Sequence, residues 1–373
     1  MKWLFFLGVF VSLHSQNKQL LYGFKEVPQQ LLLNPGGQVD YRGYIGVPIL
    51  SHIHFNAGIT GFSAFDIFAD DGRDFNQKLR EVAYSMDSKD FVGFNQQLDI
   101  FSAGFTLKTP SEKPIFISFG MYQESDAFFY FPKDYAVLAY EGNHNNLNRR
   151  FNLGDLSVNA EVLSVFHVGI NKKINPKLTL GLRGKLYSSI VQASSTMNSG
   201  SFTTVEGANN SLKHIFDLDM SLQISGLSFL ENSNSTNEVD VIRKRLLLGG
   251  NLGVGIDLGF TYEPAPEWTV DASLQDVGFI NYSKDVKNYI LNNYLEYEGI
   301  QPVFPEVVSG QTAQEYWDEV KNEFEDLFEI DSTSTSYTKW RPIRLNSSVG
   351  YNFGKKILKE CNCLDKSDPT FQN

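Results

Sequence analysis

Residues 251–262 read Asn-Leu-Gly-Val-Gly-Ile-Asp-Leu-Gly-Phe-Thr-Tyr. Leu252, Val254, Ile256, Leu258, Phe260 and Tyr262 are apolar, and the residues between them are glycine or polar. A period of two predicts a β-strand with one apolar and one polar face. Strands of soluble proteins run about five or six residues. This run is about twice that, close to the 9–11 or so residues a tilted strand needs to cross a bilayer.

The pattern recurs along the chain. Leu156, Val158, Ala160, Val162, Phe166, Val168 and Ile170 share one face, opposite Ser157, Asn159, Glu161 and His167. Leu178, Leu180, Leu182 and Leu186 alternate with Thr179, Gly181, Arg183 and Lys185. Shorter runs of the same kind begin at Ile53, Phe101, Ile115 and Trp268. A soluble sandwich also alternates, but strand length and charge in mid-strand favour a transmembrane antiparallel β-barrel of about 10–14 strands. The charged positions are Glu161, Arg183, Lys185, Asp257 and Asp271, all expected to face the lumen. They could line a pore or neutralise one another as a plug, and the mixture of signs favours the plug.

The connections are lopsided. Tight proline-bearing turns are predicted at residues 109–113, 172–177 and 263–267, and long connections at 63–95, 123–154 and 283–338. Short periplasmic turns and long outer loops are the outer-membrane arrangement. Within the long connections, residues 76–86 and 312–328 carry apolar positions at helical spacing and predict helical caps. Residues 194–238 are Ser/Asn-rich, with one clear alternation near 216–224. Up-and-down counting requires an extra crossing there, with residues 201–205 the candidate.

Composition narrows the classes. The chain has 373 residues, a net charge of −11 and 42% hydrophobic residues; mean hydropathy is −0.23. Acidity argues against a nucleic-acid partner. Two cysteines exclude a disulfide scaffold. Residues 1–15, with Lys2 ahead of a short apolar core, read as a secretory signal peptide cleaved after Ser15, against the alternative of a buried N-terminal strand.

Candidate chemistry is sparse. The sequence holds no Gly-x-Ser-x-Gly, His-Glu-x-x-His or phosphate-binding glycine loop, so no enzyme and no cofactor are expected. His52 and His54 lie two apart on one strand face, more in keeping with polar interfacial residues than with a metal site. Asp70, Asp71 and Asp74 lack the spacing and closing glutamate of a calcium loop. Cys361 and Cys363 have no further Cys/His cluster to complete a zinc site. No metal is expected.

Leu31-Leu32-Leu33-Asn34-Pro35-Gly36, shortly before the first strand, resembles the Asn-Pro-Ala-type motif of the long-chain fatty-acid transporter superfamily of barrels. Residues 169–187 and Leu274-Gln275-Asp276-Val277-Gly278-Phe279-Ile280 resemble the branch in Bacteroidota that includes a shuttle protein of the type IX secretion system. The nearest likeness is to a Bacteroidota outer-membrane family of unknown function, through Gly46-Val47-Pro48, Asn198-Ser199-Gly200-Ser201-Phe202 and Cys361-Asn362-Cys363. The resemblance implies an N-terminal hatch inside the lumen over residues 16–38, with Asn34, Pro35 and Gly36 at its tip. It implies a barrel over 39–353 and a polar tail over 354–373, either native or left by a truncated barrel end. The implied place is the outer membrane of a Gram-negative cell. The implied partners are its lipid, and either hydrophobic small molecules to be transported or a secreted or surface protein to be docked.

Overall fold

The structure is a computed structural model in which residues 21–353 are described, except 23, 49, 109–112, 208–210, 228–239, 241, 299–327 and 329. The expected signal peptide, the start of the hatch-like segment, most of the 312–328 helix, the polar tail and both cysteines lie outside the described residues.

A short helix, α1 (Gln30–Leu33), precedes β1 (Gly43–Ile45) and β2 (Ile53–Ile59). Helices α2 (Ala64–Phe68) and α3 (Phe75–Ser85) follow, then β3 (Phe91–Leu107), β4 (Ile115–Tyr130), helix α4 (Lys133–Glu141) and β5 (Arg150–Asn152). Next come β6 (Ser157–Asn175), β7 (Leu178–Glu206), β8 (Leu212–Ser225), β9 (Asn251–Tyr262), β10 (Trp268–Tyr282) and β11 (Val286–Glu298). The described chain ends with β12 (Ile330–Thr333), β13 (Tyr337–Trp340) and β14 (Arg344–Tyr351).

All pairings are antiparallel within one sheet. β1 and β2 pair with successive parts of β3 and form one broken row. Seven rows follow: β3, β4, β6, β7, β9, β10, and β13 with β14, which both pair with β10. The first and last rows do not pair with each other among the described residues, so the sheet is not closed. It is curled, because side chains from the last row reach β4 and β6 across the interior.

Sequence and structure part company at the long-connection end. Residues 201–205 are no separate crossing, because β7 runs on through them as one 29-residue strand. Its first part pairs with β9 and its last part with β8. β11, expected to be loop, pairs along its whole length with β8. β5, the end of β7, β8, β11 and β12 thus extend the sheet beyond the eight rows. The change of partner is knotted by Asn251, which is buried. Its Nδ2 donates to Ser225 Oγ (2.7 Å) and the Lys284 carbonyl (3.0 Å), and its Oδ1 accepts from the Ser283 and Lys284 amides.

An apolar cluster at this end joins Ala83 of α3 and Val137 of α4 to Phe151, Phe202, Leu218 and Phe328. α3 sits within one residue of the expected 76–86. Asp74 caps it, its Oδ1 accepting from the Asn76 amide at 2.8 Å. Ahead of the cap, Asp71 pairs with Arg73 (2.6 Å) and Lys78 (2.7 Å). Hydrogen bonds from Arg73 and then Lys78 hold its carboxyl well below the ordinary 3.8. The stabilisation this implies is complete above that ordinary value and lost as pH falls below it. Hydrogen-exchange protection of the α3 amides should therefore hold down to about pH 4 and decline only below it. Asp71→Asn should show reduced protection already at neutral pH.

Candidate functional site

The burial of the wall is inverted relative to a soluble protein. On β9, Leu252, Val254, Ile256 and Leu258 are 42–51% exposed, while Asn251 and Asp257 are 1% and 0% exposed. Val168 and Ile170 on β6, Leu180 and Leu182 on β7, and Leu345 and Val349 on β14 are likewise exposed. Polar and charged residues outnumber apolar ones among the buried. An apolar outside and a polar inside is the order of strands that face lipid rather than water.

The interior holds a connected charge network. Arg183 and Lys185 of β7 approach Asp257 Oδ2 of β9 at 3.5 and 2.9 Å. The register places Arg183 opposite Asp257. Lys185 Nζ also meets Asp276 Oδ1 of β10 at 2.6 Å, and the Tyr187 hydroxyl donates to the same oxygen at 2.9 Å. Arg344 Nε donates to Asp276 Oδ2 (2.8 Å), and its Nη1 meets Glu124 Oε1 of β4 at 3.1 Å. Arg341 pairs with Glu161 of β6 and stands 3.8 Å from Glu124, and the Tyr282 hydroxyl donates to Glu161.

Of the five charged positions expected inside, Arg183, Lys185 and Asp257 thus form one cluster, and Glu161 joins it through Arg341 and Glu124. Asp271 is buried apart from them, accepting from the Thr261 and Ser348 hydroxyls. Glu124, Asp276, Arg341 and Arg344 were not expected. Asp276 sits at a bulge where the β9–β10 register shifts between Leu274 and Val277, with φ +60°. The extra residue buries Gln275 and Asp276 together, which strict alternation does not allow. The visible signal was a Gln-Asp pair interrupting an alternating run.

The N-terminal segment lies against the same inner face. Its Leu32 carbonyl accepts from Gln275 Nε2 (2.5 Å) and Arg183 Nη1 (3.4 Å), and its Leu33 carbonyl from Ser273 Oγ (2.6 Å). Asn171 Nδ2 of β6 donates to the Pro35 and Gly37 carbonyls at 2.7 and 2.8 Å. Asn34 Nδ2 donates to the Phe260 carbonyl (3.2 Å), while its Oδ1 accepts from the Gly36 amide (2.9 Å). The seat is a pair of glycines in register, Gly181 on β7 and Gly259 on β9. A Cβ on Gly181 would stand 2.0 Å from the Pro35 carbonyl, and one on Gly259 would stand 2.1 Å from Asn34 Oδ1. Only a wall without side chains admits main chain this close.

On the long-connection side of the network lies a cavity of about 480 Å³, lined by residues of β2, β3, β4, β6, β13 and β14. Phe91 and Phe128 supply rings, while Asp126, Glu161, Lys339 and Arg341 supply charge; Phe94 and Trp340 border its edge with rings turned to the outer face. It borders both unpaired rows.

His52 stands 3.8 Å from Asp99 and His54 is buried. Among the described residues no His/Cys/Asp/Glu group is placed to hold a metal ion, and no helix is long and apolar enough to cross a membrane.

Fold and site together define an all-β protein whose curled antiparallel sheet turns apolar side chains outward and packs charge and main chain within. The chain belongs to a family of unknown function, DUF5723, whose sequence model matches residues 35–368. No curated protein and no solved structure matches it.

Removing one partner of a buried ion pair costs about 3–5 kcal/mol. Asp276→Ala should lose stability toward the lower end of that range in denaturant titration, because it takes one of two carboxylates from each of Lys185 and Arg344, leaving Asp257 to the first and Glu124 to the second. Adding Lys185→Met should cost less than the sum of the single changes, since the two share partners. Gly259→Val should unseat the N-terminal segment, seen as faster proteolysis between residues 21 and 42 while cleavage within β9 and β10 stays slow.

Proposed function

We propose that this chain is an outer-membrane β-barrel protein that binds a hydrophobic solute and passes it toward the membrane, without catalysing a reaction. The observation that carries the reading is the inverted burial of the wall. An apolar band on strands of 12 to 19 residues suits lipid, and a barrel in lipid requires the first and last rows, which do not pair among the described residues, to be joined. The residue 28–38 segment acts as the hatch, and the ion-paired interior beneath the cavity shuts out water and ions. A solute that enters must therefore bind in the cavity rather than diffuse through an aqueous channel. Its ring-lined wall suits an apolar ligand, and its volume lies within the range of small-molecule sites, about 300–1,000 Å³.

A second reading, an accessory barrel that docks a secreted or surface protein in a secretion or assembly complex, draws on the helical cap. Phe65 and Phe68 of α2 are 72% and 75% exposed at that end. Crosslinking from these two positions in intact outer membranes would capture one defined protein under this reading and none under the first.

Liposomes carrying the protein should take up a labelled long-chain fatty acid faster than empty ones, with no single-channel conductance in planar bilayers. Uptake equal to empty liposomes contradicts transport. Ile256→Arg should destabilise the protein in lipid vesicles by about 2–4 kcal/mol, the cost of a cation at mid-depth on a lipid-facing strand. Little or no change in its denaturation midpoint would point to a face that meets water.

A further inference from the structure

The 480 Å³ cavity carries a charge pattern that a plain hydrocarbon or a fatty acid does not match. Most of its charges are already committed, Arg341 to Glu161 and Arg344 to Glu124. Two are not. Asp126 accepts from Asn95 Nδ2, and Lys339 Nζ donates to Asn159 Oδ1 at 2.8 Å, but neither forms an ion pair among the described residues. A third polar group is left over: Arg341 Nε is buried and has no hydrogen-bond partner among the described residues.

The register gives the spacing of the strand positions at which the carboxylate and the ammonium are held. Asp126 of β4 is opposite Glu161 of β6, and Asn159, which holds Lys339, is two residues along the same strand. Two residues of strand span about 7 Å. Phe128 lies opposite Asn159, and its ring meets Phe91 edge-on at 5.7 Å. One carboxylate and one ammonium outside any ion pair among the described residues thus share a cavity whose wall also carries the Phe91 and Phe128 rings.

A ligand filling this space removes water from both charges. A neutral chain leaves both desolvated and unpaired, which is costly for each. A fatty acid answers Lys339 and strands Asp126, and a cationic amphiphile does the reverse. A head group with one charge of each sign answers both. We propose that the cavity is a binding site for a zwitterionic amphiphile. Asp126 takes the cationic group, Lys339 takes the anionic group beside Arg341, and the aliphatic chain runs along Phe91 and Phe128. This assignment rests on the solute-binding reading above and narrows its ligand. Because the cavity borders β2 and β13, the two unpaired rows, the amphiphile can come from the surrounding bilayer or arrive free.

The test is native mass spectrometry of the full chain released from non-ionic maltoside micelles. The added probes are a single-chain phosphocholine lipid, a fatty acid of the same chain length, and a diacyl phosphatidylethanolamine. One equivalent of the phosphocholine should be retained about tenfold more strongly than the fatty acid, a difference of about 1.4 kcal/mol. Asp126→Asn should abolish that preference and Lys339→Gln should weaken retention of both single-chain probes, while Asp126→Glu and Lys339→Arg keep it. The charge-keeping variants guard against loss of fold. Retention of the diacyl lipid as well assigns a membrane source, and retention of the single-chain zwitterion alone assigns a free amphiphile. Equal or stronger retention of the fatty acid, or a preference untouched by Asp126→Asn, overturns the zwitterion assignment and leaves solute binding standing. Retention of none of the probes overturns both.

Discussion

The interior depends on the carboxylate of Asp276. It is buried at a bulge, and three donors converge on it from two other rows of the sheet: Lys185 and Tyr187 of β7, and Arg344 of β14. Its backbone amide in turn donates to Asp257 Oδ1 at 2.8 Å. Through Arg344 the same group reaches Glu124 on β4, on the far side of the interior. Among the described residues the first and last rows do not pair, so backbone hydrogen bonds between them do not hold the curl. Ion pairs across the inside supply that hold, and they do so only as a complete set. Each charge is desolvated, so each is stable only while its partners are present.

The N-terminal segment is held by a different means. Its contacts are hydrogen bonds to carbonyls plus bare steric fit over Gly181 and Gly259. The link to the charge network is Arg183, which serves Asp257 and the Leu32 carbonyl at once. The N-terminal segment and the charge network are therefore joined, and displacing the segment costs Arg183 an acceptor.

How much of this was legible in the sequence varied with the local rule at work. The strand at 251–262 was fully legible, because inward and outward positions never break step and the apolar set is unmixed. Asp257 followed from it, and Arg183 and Lys185 from the alternating run at residues 178–186. The glycines of that strand read as dilution of its polar face, yet Gly259 proves to be half of the seat for Asn34 and Pro35, which only the register with Gly181 reveals. Asp276 was hidden by a bulge, since one extra residue breaks the period on which the inference rests. A strand over residues 345–353 was legible, and β14 largely coincides with it, but Arg344 lies just ahead of that run and Arg341 in the break before Pro342, so neither joined the expected inward set. The 29-residue length of β7 was illegible for a related reason: past Ser194 the sequence turns to Ser, Asn and Thr, and its outward face no longer carries an apolar stripe. β11 was illegible because its apolar residues fall on both faces, Ile290 and Tyr294 on one and Tyr289, Leu291, Leu295 and Tyr297 on the other, so no period of two shows.

The central claim is that the alternating face of the wall lies in lipid. It is tested most directly by a nitroxide scan of residues 251–262 with the protein in bilayers, reading collision with oxygen and with a water-soluble nickel complex at each position. The account predicts a strict period of two. Labels at 252, 254, 256 and 258 should be reached by oxygen and shielded from nickel, and labels at the intervening positions should be shielded from both. Nickel access at the even positions would contradict it, because that face would then be in water.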